Sequence, residues 1–377
     1  MKTIPFVVFV IFCFCALTCK KEPSPVVPPS SVDTLITTER QLYPGNEPAV
    51  SPNGKQIAFT YQGNIYVMDT SGANAKQLTS GGGDEMPRWN PDGQSIGFIR
   101  TTPGVYDQGL LYSVPASGGG ATQLVFNEFV GDELIQEIRN FGSVGTPIWD
   151  WSPDGQYVAL LQNATLDTAT FLKIVNLSNG KEIYSYQTYQ FSVYGNNGSC
   201  FQWSYNQNEI AFHSSNKAAE YITLLNLSDK VVIQDTMFIY TRFITKNTTI
   251  SKFAFVTASD SSVGYNGLEI AISDLKSEGV VYYYPIYTTG GLNAGLKWSP
   301  DGKYFLYEVE QTVGGALGYN YSTLFLFNRE RNKNYKLTFT GDIIQPHDLF
   351  FEWAKSSNTV YFERFGYINV ANFKRLN

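Results

Sequence analysis

The chain has 377 residues, of which 43% are apolar and 15% aromatic, while only 16% are charged. Its formal net charge is -6, and lysine and arginine are scattered along it, so no basic surface is expected and nucleic acid is excluded as the expected partner. A composition rich in aromatic residues and poor in charge favours strands over helices, which predicts an all-β protein.

The beginning of the chain has the pattern of an export signal. Lys2 precedes an apolar run over residues 4–17 that ends shortly before Cys19, and this run is too short to span a bilayer comfortably. Residues 1–19 resemble a bacterial lipoprotein signal, although Thr18 stands where that family usually has Gly, Ala or Ser. The resemblance implies that Cys19 carries the lipid and anchors the protein to the outer membrane of the cell envelope, facing the periplasm or the cell surface. An uncleaved anchor and ordinary secretion remain alternatives.

A Pro-rich tether follows over residues 20–33 and contains the run PSPVVPPSS. Closely spaced prolines favour an extended chain of about 3.1 Å per residue, so this segment is expected to hold the folded body away from the membrane. If Cys13 and Cys15 leave with the signal and Cys19 carries lipid, Cys200 is the remaining cysteine and no intrachain disulfide is expected.

A four-residue turn recurs within residues 34–377, which we expect to form the folded domain. It occurs as SPNG at residues 51–54, as NPDG at 90–93, and as SPDG at 152–155 and 299–302. Proline presets φ early in a turn, and glycine accepts the conformation at its exit. A short apolar run typical of a strand follows each turn, so the repeat predicts one small sheet built many times.

Seven repeats can be traced, although the fifth lacks the turn. Six of them begin near residues 48, 87, 147, 201, 296 and 350, and the fifth lies around residues 250–260 and 268–275. Short strands at regular intervals of about 50 residues predict an all-β propeller with four-stranded antiparallel blades. Seven blades are favoured, and six remain an alternative.

The two ends of the repeat region are expected to share the last blade. The seventh repeat has no obvious fourth strand, and residues 40–42 (RQL) are similar to residues 76–79 (KQLT), which close the first repeat. An N-terminal strand would therefore complete the seventh blade. This arrangement closes the ring and removes two exposed sheet edges.

The full repeat, W-S-P-D-G-K-x-I-A-F followed by I-Y-V-M-D and later by Q-L-T, resembles the repeats of the TolB-like propellers. Residues 48–79 carry this pattern nearly throughout, and the resemblance covers most of residues 35–377. It implies the propeller fold and a binding scaffold in the bacterial envelope. It implies no particular partner, because propellers carry unrelated activities on the same ring.

The sequence favours neither of two catalytic sites that occur with such propellers. The one G-x-S-x-G, GQSIG at residues 93–97, belongs to the recurring turn and strand of the second repeat, and no α/β domain that could hold a serine nucleophile is expected after the last repeat. The two histidines, His213 and His347, are too few for a histidine-rich metal site. We therefore expect no enzymatic activity. A lyase or hydrolase site in the channel is the less favoured alternative.

Four carboxylates are expected near the mouth of the central channel, which the innermost strand of each blade lines. They precede these strands in the repeat and are Glu47, Asp84, Glu85 and Asp348. Carboxylates around one opening could hold a hard cation such as calcium. The alternative is a solvated acidic rim, and no other cofactor is expected.

The first of two insertions outside the repeat spans residues 126–145. Its apolar residues Leu134, Ile138 and Phe141 have near-helical spacing with charges between them. This pattern predicts a short amphipathic helix. Such a helix would dock on its own propeller or, as the alternative, contact a partner.

The second insertion spans residues 310–323 and is rich in glycine and tyrosine. The composition predicts a long mobile hairpin loop. Since loops on rigid scaffolds often carry binding residues, Tyr319 and Tyr321 are candidates for contact with a partner.

These patterns together predict a monomeric, lipid-anchored propeller that binds an envelope protein through one face of its ring. The 25 tyrosines leave a glycan-binding surface lipoprotein as an alternative. Most of them, such as residues 282–284, occupy strand positions where sheet packing accounts for them. Tyrosines exposed together on one face would favour the glycan.

Overall fold

The computed structural model describes most of the repeat region in several stretches. These are residues 36–101, 108–124, 130–131, 149–163, 169–189, 201–204, 209–215, 220–228, 232–235, 239–246, 252–258, 268–273, 275, 282–285, 294–313, 319–337 and 350–374. Within them the chain forms 29 β-strands in seven antiparallel sheets. The same stretches contain no helix long and apolar enough to cross a membrane.

The first three blades use their strands in chain order from the channel outward. Their strands are β2 (Asn46–Val50), β3 (Gln56–Tyr61), β4 (Asn64–Asp69) and β5 (Lys76–Gln77); β6 (Asp84–Trp89), β7 (Ser95–Thr101), β8 (Gln108–Pro115), β9 (Thr122–Gln123) and β10 (Val130–Gly131); and β11 (Trp149–Trp151), β12 (Tyr157–Asn163), β13 (Ala169–Asn176) and β14 (Lys181–Tyr189). In blade two, β9 and β10 both pair with β8 and share the outermost position.

Blades four to six repeat this order. Their strands are β15 (Phe201–Trp203), β16 (Glu209–Ser215), β17 (Glu220–Asn226) and β18 (Val232–Asp235); β19 (Ile239–Lys246), β20 (Phe253–Ala258), β21 (Leu268–Ser273) and β22 (Tyr282–Pro285); and β23 (Ala294–Trp298), β24 (Tyr304–Val313), β25 (Tyr319–Asn328) and β26 (Lys333–Lys336). The predicted all-β propeller with seven blades is confirmed.

Blade seven contains strands from both ends of the repeat region, as predicted. It consists of β27 (Phe351–Trp353), β28 (Thr359–Arg364), β29 (Tyr367–Phe373) and, outermost, β1 (Ile36–Pro44). β1 runs antiparallel to β29. Arg364 Nη1 also donates to Glu39 Oε1 at 2.9 Å, which joins residues 325 positions apart in the sequence. The ring is therefore closed by its N-terminal strand.

Side-chain hydrogen bonds stabilise the recurring turns. In blade three, the Ser152 hydroxyl donates to Asp154 Oδ1 at 2.6 Å and accepts from Tyr157 N at 2.9 Å. Gly155 N donates to Ser152 O at 2.8 Å, and Gly155 has a φ of 70°. Ser51 and Ser299 make the same contacts in their own turns. The turn residues therefore have the roles that the sequence predicted.

Replacing Gly155 with valine is expected to lower the free energy of unfolding by about 2 to 3 kcal/mol. The left-handed backbone costs a side chain about 1 to 2 kcal/mol, and a Cβ at Gly155 would lie 2.9 Å from Asn90 Oδ1 of the neighbouring blade. Gly180→Val is the matched control, because Gly180 has a φ of 65° with open space around its Cβ position. Chemical denaturation measures both, and equal losses would show that the contact with Asn90 contributes nothing.

The apolar core lies between the faces of neighbouring blades. One cluster joins blades two, three and four, and it includes Trp149, Trp151 and Trp203. Gly97 of β7 lets the indoles of blade three approach, since a Cβ there would lie 2.5 Å from Trp149. The ring is thus held together by packing between sheets as well as by its closing strand.

The propeller has two ends, which we call the turn face and the hairpin face. The innermost strands finish at the turn face, where the recurring turns lie side by side. Gly155 approaches Asn90 there, and Asp301 N donates to Ser357 Oγ at 2.9 Å between blades six and seven. The second and third strands of each blade are connected at the opposite end, the hairpin face.

The fifth repeat, predicted around residues 250–260 and 268–275, contains the second and third strands of blade five, β20 and β21. The innermost strand of that blade, β19, precedes these residues. β19 lacks the turn signature and contains two register shifts against β20. A strand without the repeated turn residues gave no local signal of its place in the blade.

The predicted loop over residues 310–323 is largely wrong. β24 and β25 remain paired as far as Val313 opposite Tyr319, and residues 314–318 lie outside the described residues. Valine, threonine and tyrosine at these positions favour strands, so they extend the hairpin.

The first insertion contains one described element, the short strand β10. It pairs with Gln108 and Gly109 at the start of β8. The predicted helical residues Leu134, Ile138 and Phe141 lie outside the described residues.

Candidate functional site

The innermost strands place one residue per blade on the wall of the central channel. In β11, β15 and β27, a half-buried residue lies between two buried aromatic ones, which pack between the blades. The middle residue therefore points into the channel. Alignment of the registers extends this position to all blades, and we call the set the channel ring: Ala49, Arg88, Asp150, Gln202, Thr245, Lys297 and Glu352.

The channel ring lines a cavity of about 680 Å³. Prolines of four recurring turns also line this cavity, which places it at the turn-face end of the channel. They are Pro52, Pro91, Pro153 and Pro300. Its size falls in the range of about 300 to 1,000 Å³ that is common for small-molecule sites.

Tryptophans fix the backbone of the channel ring. Trp89 Nε1 donates to Ala49 O at 2.9 Å, and Trp151 Nε1 donates to Arg88 O at 3.3 Å. Trp353 makes the same bond to the ring residue of blade six, at 3.2 Å. Each of these indoles thus binds the ring residue of the preceding blade. In blades two, three and seven the repeated tryptophan therefore positions the wall of the channel, whereas Nε1 of Trp203 and of Trp298 has no hydrogen-bond partner among the described residues.

In blade five, a lysine takes the place of the repeated tryptophan. Lys246 pairs with Phe253, as Trp203 pairs with Ile210 in blade four. Burial lowers the pKa of the Lys246 ammonium, and the Asp150 carboxylate opposes that fall. The cavity therefore contains a lysine whose charge is costly in its surroundings.

The charges around the cavity are mixed but mainly positive. Among the described residues, four cationic side chains and two carboxylates line it: Arg88, Lys246, Lys297, Lys355, Asp150 and Glu352. Lys297 forms an ion pair with Glu352 between blades six and seven. Burial raises the pKa of the Asp150 carboxyl, and the charges of Arg88 and Lys246 oppose that rise. The lining has an excess of positive charge in a chain whose net charge is -6.

The structure places Glu47 inside β2, where it connects blades one and two. Its backbone has a φ of 57° at a register shift between β2 and β3. Its Oε2 accepts from Thr60 Oγ1 and from Met86 N, both at 2.6 Å. These two hydrogen bonds give the carboxylate a structural role.

Asp84 and Glu85 lie within β6 and are buried, with 0% and 8% of their surfaces exposed. Arg100 binds both oxygens of Asp84, through Nε at 2.6 Å and Nη2 at 2.8 Å. The guanidinium also lies 4.7 Å from the ring centre of Tyr112. The hydrogen bond to Asp84 raises the pKa of Arg100. The pair therefore forms part of the packing of blade two.

No three His, Cys, Asp or Glu side chains form a metal-binding group in the described stretches of the chain. Asp348, the fourth carboxylate of the predicted calcium site, lies outside those stretches. Calcium binding at the channel mouth stays a prediction.

The other predicted functional residues are only partly described. Cys19 and His347 lie outside the described residues. Tyr319 and Tyr321 lie on β25, opposite Val313 and Gln311, and His213 lies on β16.

Comparisons with known proteins agree with this architecture. No family model matches the chain. The oligogalacturonate lyase of Vibrio parahaemolyticus has a similar structure, with a TM-score of 0.59 and 14% identity over 92% of this chain and 96% of that one. This likeness shows the propeller fold. The resemblance to TolB-like propellers that the repeats predicted is confirmed at the level of this fold.

Two further similarities cover smaller shares of the other proteins. TolB of Acinetobacter baumannii is 15% identical over 80% of the propeller chain and 64% of its own, with a TM-score of 0.45. The uncharacterized peptidase YuxL of Bacillus subtilis is 28% identical over 145 residues, which are 32% of this chain and 22% of that protein. The propeller chain thus spans about a fifth of the length of this curated relative.

The channel ring was missed in the sequence, although a local signal existed. In blades two, three, four, six and seven, the residue before the repeated tryptophan is polar or charged, as in RW, DW, QW, KW and EW. A polar residue between strand positions that are otherwise apolar indicates a wall facing water. The carboxylates predicted at the channel mouth, Glu47, Asp84 and Glu85, are buried or have structural contacts instead.

Proposed function

We propose that this chain is a non-catalytic, lipid-anchored scaffold of the bacterial cell envelope that binds an envelope protein on its hairpin face. The observation that carries the proposal is the direction of β1. Ile36 pairs with Phe373 at the turn face, and Pro44 pairs with Tyr367 at the hairpin face. The chain therefore enters the ring at the turn face. A lipid at Cys19, followed by the tether of residues 20–33, would hold that face toward the membrane.

The two insertions connect to the ring at its opposite end, the hairpin face. β24 and β25 are 10 residues long, whereas β3 has 6. At about 3.4 Å per residue, the longer hairpin extends roughly 14 Å further at the hairpin face. Tyr319 lies at the far end of this hairpin.

The first insertion leaves and rejoins the ring on the same face. β10 pairs with the start of β8, and β11 begins there as an innermost strand. Both insertions therefore start from the end of the ring that points away from the proposed anchor. Such segments on a rigid frame are where binding residues concentrate, which supports a partner on this face.

Position-specific crosslinking in cells is expected to capture an envelope protein from the hairpin face. A photoreactive amino acid at Tyr321 would sample that face, and one at Asn53, which is exposed in the first turn, would sample the turn face. We expect one protein, identified by mass spectrometry, to be captured repeatedly from position 321 and not from position 53.

Two outcomes would contradict the proposal. The first is equal capture from both positions, and the second is no protein captured from either. A Cys19→Ala version tests the anchor, since it is expected to shift the chain from the membrane fraction to the soluble fraction. Capture of glycan in place of protein at position 321 would favour the glycan-binding alternative.

A further inference from the structure

The central cavity contains cations that the carboxylates around it do not fully compensate. Arg88, Lys246 and Lys297 come from blades two, five and six and all line the same space. Glu352 forms an ion pair with Lys297, so these two charges compensate each other. Asp150 is left to interact with both Arg88 and Lys246. One carboxylate thus faces two cations on one side of the cavity.

Lys246 is a cation at a position that is apolar in most other blades. The corresponding residue in five other blades is tryptophan, which packs between blades, so blade five has a charged group where the repeat has an apolar one. Because burial disfavours the ammonium ion, a further negative group in the cavity would stabilise it. The lysine stem reaches the same cavity that the ring residues line.

The backbone of two residues in the cavity wall is also held in place before any ligand binds. The carbonyls of Arg88 and Lys297 accept hydrogen bonds from Trp151 and Trp353. A wall fixed in this way loses little conformational freedom on binding, which favours affinity for a ligand of matching charge.

From this juxtaposition we infer that the cavity is a binding site for a small anion, a molecule carrying a carboxylate or a phosphate group, held by Arg88 and Lys246 beside the Lys297–Glu352 ion pair. Arginine supplies a planar fork for such a group, and the lysine supplies a point charge. The inference goes beyond the proposed function, because it concerns the channel and not the hairpin face.

The position of the cavity allows two sources for the anion. The cavity lies at the turn face, which is also where β1 enters the ring. A free anion could enter between the turn prolines, or an anionic lipid headgroup could be presented by the membrane to which the chain is tethered. The chemistry recognised is the same in both cases.

The test uses the full chain purified in a non-ionic detergent. Calorimetric titration with inorganic phosphate and with citrate is expected to show saturable binding to one site. Titration with soluble short-chain phosphatidylglycerol, compared with phosphatidylcholine of the same chain length, tests the headgroup, because a lipid at Cys19 would carry the chain to vesicles of either composition. Binding of phosphate or citrate identifies a free anion, and binding only of the anionic lipid identifies a headgroup. Both results support the inference, and failure of both arms overturns it.

Variants decide whether the cavity is responsible. Lys246→Met and Arg88→Gln are each expected to weaken binding by about tenfold or more, because each removes a charge from the anion's surroundings. Lys303→Met is the matched control, since Lys303 is exposed and paired with Glu330 outside the cavity. A Lys303 variant that weakens binding as much as the others would overturn the inference in favour of unspecific charge attraction.

Thermal unfolding checks that each variant is folded. If Lys246→Met does not fold, Arg88→Lys provides a second test of the cavity. Retention of most of the affinity in Arg88→Lys, with loss in Arg88→Gln, is the expected pattern. The crosslinking result at position 321 does not depend on the cavity, so the failure of one proposal leaves the other standing.

Discussion

Deletion of residues 33–43 is expected to lower the melting temperature of the whole propeller by roughly 5–10 °C, a loss of several kcal/mol for a chain of this size. The deletion removes nearly all of β1, which pairs with β29 from Ile36 opposite Phe373 to Pro44 opposite Tyr367. β29 would then become an edge strand that pairs with β28 alone. Blade seven would lose its outer strand, so the two ends of the repeat region would no longer be joined within one sheet.

Several side chains would lose their partners in the same deletion. Arg364 binds Glu39, and these side chains are only 16% and 13% exposed. Leu42 and Tyr43 pack against the cluster between blades seven and one. Arg40 Nη1 donates to Ser71 O at 2.8 Å in blade one. The closing strand therefore contacts both blades that it joins.

The control is a deletion of equal length within the tether, residues 21–31, which removes no residue of the described sheets. Calorimetry or circular dichroism measures both proteins. The expected outcome is a large loss for the first deletion and none for the second. A melting temperature unchanged by deletion of 33–43 would mean that three strands suffice for blade seven and that β1 does not stabilise the ring.

Asp84→Ala is expected to lower the free energy of unfolding by about 2 to 4 kcal/mol. Asp84 is fully buried, and its removal leaves the guanidinium of Arg100, which is 27% exposed, without its bidentate partner. The remaining exposure of Arg100 keeps the loss below that of a fully buried pair. Glu330→Ala is the matched control, because the Lys303–Glu330 pair is 48% and 57% exposed and a loss of less than about 0.5 kcal/mol is expected.

The same variant separates the structural role of Asp84 from the predicted calcium site. Melting curves in calcium and in chelator are expected to coincide for the unaltered protein if Asp84 serves only to bind Arg100. Stabilisation by calcium that is lost in Asp84→Ala would support the cation site and contradict the purely structural assignment.

The sequence predicted the blades that begin with the recurring turn, because the hydrogen bonds of that turn are local. It did not predict the innermost strand of blade five, which lacks the turn. The hydrogen bonds of Ser51, Ser152 and Ser299 all lie within six consecutive residues, so the pattern of letters reports them directly. Blade five has no such turn, so the pattern located its second and third strands but not its innermost strand. The hairpin of β24 and β25 was misjudged because its glycines outweighed the strand-forming residues on either side.

The candidate site could be predicted only in part. The expected carboxylates were chosen by their distance from the repeat, but Glu47 and Met86 both have φ values above 50° at register shifts in their strands. These irregularities place Glu47 and Asp84 among structural contacts between and within blades. A regular strand pattern contains no information about such shifts.

The sequence by itself determined the all-β class, the turns, the repeat and the closure by an N-terminal strand, because each depends on residue types at short, fixed spacings. Only the tertiary structure decided which residues form the channel wall. Arg88, Lys246 and Lys297 are separated by long stretches of chain and share one cavity because the ring closes. The orientation of the tether relative to the hairpins was decided in the same way, since it depends on the direction in which β1 pairs with β29.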